Sequence, residues 1–402
     1  MSKKIAVQIG IVIKGILFIG FSIQIIFGIV WMCCNFVHVQ DFSAPDTTLY
    51  GGMFRLLGER WPVMYFLQLT VAFLVDYFLM QSLCATERWL AVWRALALLT
   101  FPFAMQCHLA VQPHSFVSSL FLLLLTFLIR AIRGRGVRSS WFFGLICLIL
   151  LIYMTGVVDK DSRTELSEKG IEGIMASRMA WSTMMNDFDY WPEELQEIAE
   201  EIHFDATIYP ENMELLLEAV MEAVGPQKAR EYYGAIAQNG WEKRLPVIIR
   251  QTGWDFLGYT VSPIIVPLQL AGEAYDSYTG RNYENMCNTA PILTKYYVDY
   301  SCWWFAVALV ICVVGSMVLV GNRFLGKKDA SVAQGNKGMK RKNILAVAVC
   351  ITLSLVWVTV LSLRGAGVMD YKWTVAINQL WIVWALLLMK TDCSEVLGCK
   401  GE

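Results

Sequence analysis

Eight apolar runs, each of a length that crosses a bilayer, leave this chain few folds to choose from. They lie at about 8–34, 63–84, 92–109, 114–131, 141–158, 300–320, 344–363 and 373–389. A hydrocarbon core of about 30 Å needs roughly 20 apolar residues in α-helix. Backbone polar groups find no water at that depth, so runs of this length cross as helices with their hydrogen bonds made internally. The expected fold is therefore an all-α polytopic membrane bundle of about eight spans. Charge agrees with this: only 17% of residues are charged, against about 25% in an ordinary soluble domain. Mean hydropathy is +0.48. No basic stripe suits a nucleic acid, and that class of partner is excluded. The first run, after MSKK, is about twice the length of a signal-peptide core and lacks a small-residue cleavage site. It reads as an uncleaved span, with Lys14 snorkelling or facing the bundle.

The bases set the orientation. Lys3 and Lys4, Arg88, the run RAIRGRGVR at 130–138, the run NRFLGKKDASVAQGNKGMKRKN at 322–343 and the C-terminal tail fall on alternate connectors. Connectors rich in Lys and Arg stay in the cytoplasm, so both chain ends are expected inside. Segments 35–62, 110–113, 159–299 and 364–372 then face outward. The longest of these carries 24 acidic against 11 basic residues. Three regions follow: a five-span bundle over 1–158 with its first outer loop at 35–62, an acidic extracytoplasmic domain over 159–299, and three spans within 300–402 joined by a basic cytoplasmic linker at 321–343. The third and fourth runs, separated only by a short turn, are expected as a tight hairpin.

The outer domain reads as helical. WPEELQEIAEEI sets Pro192 in a first turn, with apolar residues at 195, 198 and 202, the spacing of one helix face. YPENMELLLEAVMEAVG repeats the design, closed by Gly225. Glycine at that place ends a helix in the left-handed conformation at little cost. The 11 cysteines are scattered through apolar runs without metal-ligand spacing, and read as small apolar residues.

Chemistry concentrates in the first outer loop, NFVHVQDFSAPDTTLYGGMFRLLGERWP. His38 lies at the mouth of span one, and Asp41 and Asp46 flank Pro45. A carboxylate at the membrane surface acts as general base on a hydroxyl or holds a divalent cation. Asp46 has a second explanation, as N-cap of a short interfacial helix with Leu49, Met53, Leu56 and Leu57 on one side. Tyr50 follows on that helix, then Arg55 and Arg60, whose guanidinium groups match phosphate or anchor at headgroups. His108, Gln112 and His114 stand at the turn between spans three and four. The last outer turn, SLRGAGVMDYKW, carries Arg364, Asp370, Tyr371 and Lys372. Within the membrane, Asp76 and Arg94 each cost several kcal/mol unless paired or wet, and they are expected to pair with each other.

This layout resembles the GT-C class of membrane glycosyltransferases, which includes the protein O-mannosyltransferase-like and lipid A sugar transferase-like families. The resemblance rests on QDFSAPDTTLYGGMFRLLGERWP after span one, and on LLTFPFAMQCHLAVQPHSFVSSLFLLLLTFLIRAIR as the third and fourth spans. It covers roughly residues 1–160. It implies that Asp41 or Asp46 is the catalytic carboxylate and that the donor is a polyprenyl-phosphate sugar. The acceptor is then a hydroxyl on a glycan, lipid or protein at the outer face of a bacterial plasma membrane. On this reading His38, Tyr50, Arg55, Arg60, His108, His114, Arg364, Asp370 and Lys372 contact the substrates. No cofactor is assigned, and a divalent cation is an option. The adjacent acidic pair of that class is absent, and the insert at 159–299 has no counterpart in it. The alternative is a non-enzymatic membrane protein whose outer helical domain binds a partner or ligand. A transporter is disfavoured, because the spans read as poor in buried polar residues.

Overall fold

The structure is a computed structural model that describes residues 3–35, 49–84, 88–109, 114–158, 170, 172–173, 175–176, 190–204, 211–260, 291–325, 352–359 and 375–388. Every regular element among the described residues is helical and none is a strand. The helices are α1 (Lys3–Asn35), α2 (Leu49–Leu56), α3 (Trp61–Cys84), α4 (Arg88–Leu99), α5 (Pro102–Leu109), α6 (His114–Ile132), α7 (Val137–Val158), α8 (Glu193–Glu201), α9 (Glu211–Thr260), α10 (Pro291–Leu325) and α11 (Val375–Leu388). Residues 352–359 are also helical.

Among the described residues, four helices are long and apolar enough to cross a membrane: Ile11–Cys34, Trp61–Leu83, His114–Ile132 and Val137–Met154. They coincide with the first, second, fourth and fifth apolar runs. The third run is not one helix. Pro102 has no N–H to give Leu98, and its ring disfavours helix at the residue before it. The chain breaks at Thr100 and Phe101, and α5 restarts with Pro102 as its first residue. The sixth run lies within the 35-residue α10. The eighth appears as α11, whose 14 residues rise about 21 Å.

The chain divides into two compact units. One comprises Met1–Thr155, Ser262–Thr352 and Lys372–Glu402; the other comprises Gly156–Val261 and Leu353–Tyr371. In the first, α3 packs between α6 and α4, while α1 packs on α10 and α10 on α11. Glycines on α1 permit close approach. At Gly20 a Cβ would overlap the Trp304 ring, and at Gly28 it would lie 2.6 Å from Thr100 Cβ. Trp31 Nε1 donates to Thr294 Oγ1 at 2.8 Å, and Trp93 Nε1 to Ser22 Oγ at 3.1 Å. Outward faces are apolar: Ile11, Phe66, Ile152 and Trp303 are all exposed, as suits side chains that meet lipid tails. α7 is the most peripheral span, with only 28% of its apolar stretch buried.

The second unit has its own core. Leu195 and Ile198 of α8 are buried with Met213, Leu216, Leu217 and Val220 of α9, and Ile202 packs against them. These are the residues the helical spacing selects. α8 ends as His203 turns left-handed (φ 53°) and Phe204 N–H returns to the Ala199 carbonyl at 2.8 Å. Gly225 (φ 77°) interrupts α9, and Pro226 opens the second half. That half then runs unbroken through Pro246 to Thr260.

Candidate functional site

His38, Asp41, Asp46, Gln112, Arg364, Asp370, Tyr371 and Lys372 lie outside the described residues. The rest of the candidate set is described, and two members, Tyr50 and His108, converge. Tyr50, at the start of α2, is buried, and its hydroxyl donates to Gln68 Oε1 of α3 at 2.7 Å. Gln68 Nε2 donates onward to the His108 carbonyl at 2.9 Å. That carbonyl lies in the last turn of α5, where helix geometry leaves it no partner of its own. His108 Nδ1 and Ser115 Oγ are 2.8 Å apart, which joins the end of α5 to the start of α6. The Tyr50 ring meets the edge of Phe116 at 5.9 Å. His114 is the first residue of α6. Thus α2, α3, α5 and α6 meet in one polar chain from Tyr50 through Gln68 to His108 and Ser115.

The chemistry available there centres on His108. It is 1% exposed, and its Nε2 has no hydrogen-bond partner. If Ser115 donates to Nδ1, Nε2 carries the proton and is a donor; if Nδ1–H donates to Ser115, Nε2 is an acceptor. A buried polar atom without a partner costs about 1–3 kcal/mol, so this nitrogen is held against its own preference. Arg55 in the last turn of α2 and Arg60 before α3 are both exposed.

α2 lies where the loop pattern places a short helix. Its buried positions are Tyr50 and Gly51, while Met53 is half-buried and Leu56 is 88% exposed. Leu57 is half-buried as well, and Tyr50 has both a polar partner and an aromatic neighbour inside. The turn beyond it closes with Gly58 at φ 69° and Glu59 at φ 55°.

A second polar group lies deeper in the bundle. Asp76 and Gln379 are each 1% exposed, and Gln379 Nε2 donates to Asp76 Oδ2 at 3.3 Å. The partner given to Asp76 is thus Gln379 of α11 rather than the expected Arg94, which is itself buried. A third group surrounds the break between α4 and α5. The break frees the Ala97 and Thr100 carbonyls from helical bonding. Gln24 Nε2 takes the first at 3.0 Å, and the Tyr297 hydroxyl takes the second. Irregular backbone at membrane depth persists when neighbouring side chains satisfy it in this way.

The spans are therefore not poor in buried polar residues. Gln24, Gln68, Asp76, Arg94, His108, Thr126 and Gln379 are all buried. Scarcity of buried polar residues therefore gives no ground against a transporter. The residues missed in sequence are Gln24, Gln68, Ser115, Tyr297 and Gln379. The signal open to a reader was a lone glutamine inside an apolar run. Comparison with models of protein families, with characterised proteins and with solved structures finds no match to this chain.

Proposed function

We propose that this chain is a membrane glycosyltransferase that moves a sugar from a polyprenyl-phosphate donor to an acceptor hydroxyl. The observation that carries the reading is the hydrogen-bonded chain Tyr50–Gln68–His108–Ser115. It binds the helix of the first loop to the α5–α6 turn, where an imidazole nitrogen is held buried and unpartnered. Asp46 stands four residues before Tyr50 in the chain, and Asp41 nine. In the proposed reaction the acceptor oxygen bonds to the anomeric carbon as the carbon–oxygen bond to phosphate breaks. The electron pair leaves on polyprenyl phosphate, and the acceptor proton passes to Asp41 or Asp46. Arg55 and Arg60, exposed beside α2, supply positive charge for the leaving phosphate. The setting proposed is a bacterial plasma membrane, with 159–299 on its outer side.

Asp41→Asn and Asp46→Asn test this in membranes supplied with polyprenyl-phosphate sugars. Loss of a general base lowers transfer by about 10²–10⁴-fold, so one variant is expected to fall in that range while remaining folded. Undiminished transfer in both removes the proposed chemistry. A second reading, a partner-binding membrane protein, draws support from the separate core of the unit containing α8 and α9.

A further inference from the structure

Asp76 puts a carboxyl group at membrane depth. It stands about 12 Å from the nearer end of α3, a helix long and apolar enough to cross a bilayer. α3 packs against α4, α5, α6 and α11. The titratable groups on those helices are Arg88 and Arg94 of α4, Cys107 and His108 of α5, and His114 and Arg130 of α6; α11 has none. α3 itself adds Tyr65, Tyr77 and Cys84. Arg88 is exposed, Arg130 lies over the Phe78 ring at 4.9 Å, and His108 is joined to Ser115. Among the described residues no ion pair reaches Asp76, and its one hydrogen bond comes from Gln379 Nε2. What remains on this pair is a matched deficit. Asp76 Oδ1 and Gln379 Oε1 are both buried, and neither has a hydrogen-bond partner. They are acceptors on the same two side chains, and between them they lack one donor.

We propose that Asp76 and Gln379 form a proton-binding site, in which a proton taken from water sits on Asp76 Oδ1 and is donated to Gln379 Oε1. An ionised carboxylate left alone in a low-dielectric interior is so costly that the group takes up a proton instead. A protonated carboxyl is both donor and acceptor. It and a primary amide have matching edges, and face to face they close a ring of two hydrogen bonds. The N–H limb of that ring is present here, and the two idle oxygens are the ends of the other. The proton thus supplies the second of two bonds that tie α11 to α3. A metal cation between the same oxygens is the competing occupant. An ion that prefers oxygen takes about six ligands, whereas this pair offers two idle ones. The site stands apart from sugar transfer and does not depend on it.

The test uses the full chain in phosphatidylcholine nanodiscs at neutral pH, with and without sodium, read by infrared difference spectroscopy. A protonated carboxyl has a C=O stretch well separated from the bands of carboxylates and amides. Parent minus Asp76→Asn is expected to show one such band. Asp76→Asn offers an N–H to Oε1 and a C=O to Nε2, so it keeps both bonds without a proton and is expected to fold as the parent does. In Gln379→Leu the acid band is expected to move to higher frequency, because the C=O at Oδ2 loses the N–H it accepts. Should Asp76→Asn fail to fold, that shift alone assigns the band to this pair. Carboxylate bands in place of the acid band in the parent overturn the proposal, as does an acid band that Gln379→Leu leaves unmoved. Carboxylate bands that shift when sodium is added would give the pair to a metal ion, and would overturn it too.

Discussion

Gly28 of α1 has no room for a side chain, because a Cβ there would lie 2.6 Å from Thr100 Cβ and 2.9 Å from the Thr100 carbonyl oxygen. That carbonyl is itself held by Tyr297, so it cannot yield without breaking a second contact. Gly28→Ala is expected to destabilise the bundle by about 1–3 kcal/mol, the cost of overpacking. Gly15 of the same helix has nothing within 4 Å of its would-be Cβ. Gly15→Ala is expected to be neutral or to gain up to about 1 kcal/mol of helix propensity. Thermal unfolding of both variants in one detergent checks the contrast, and equal effects would deny the close approach. Both residues look alike in sequence, since each is a glycine in an apolar run. Only the helix packed opposite separates them.

Among the elements, the interrupted pair α4 and α5 is the most demanding to build. The freed Ala97 carbonyl depends on Gln24. Gln24→Leu removes its partner while preserving bulk, and is expected to cost about 1–3 kcal/mol as an unsatisfied buried acceptor. Tyr297→Phe is expected to act alike on the Thr100 carbonyl. Unfolding midpoints of the two variants measure this, and a neutral result in both would mean that the break needs no side-chain partner. Pro102 makes the interruption readable in sequence, yet the apolar run continues through it, and hydropathy counts one span. The partners were not readable. Gln24 and Tyr297 lie 73 and 197 residues from the groups they satisfy, and nothing local marks them. Tyr50 is a similar case. Its place on α2 followed from the loop pattern, whereas its inward turn depended on Gln68 and Phe116 across two other helices.

Over the whole molecule, hydropathy made the helical class and the four clear spans legible, because length and apolarity are local sums. The candidate site was only half legible. Chemistry-bearing residues announce their type, while convergence is a property of packing. In the unit outside those spans, the Lys228–Glu194 pair at 2.5 Å predicts a pH response. Hydrogen bonds from Lys228 and then Tyr232 hold the Glu194 carboxyl below its usual 4.5, and Glu194 in turn raises Lys228 above 10.5. The depressed carboxyl contributes stability above pH 4.5 that is lost as pH falls through its folded value. The raised amine contributes below pH 10.5 and is lost as pH rises through its own. Exchange protection of α8 is therefore expected to weaken at both ends, and Glu194→Gln should flatten both limbs. Exposure of the pair to water keeps the effect small. A last consequence concerns time rather than energy. The Thr100 carbonyl is synthesised 197 residues before the tyrosine that satisfies it. At roughly 5–20 residues per second, translation leaves that break waiting about 10–40 s for its partner, so the early helices enter the bilayer with a gap that only the late ones close.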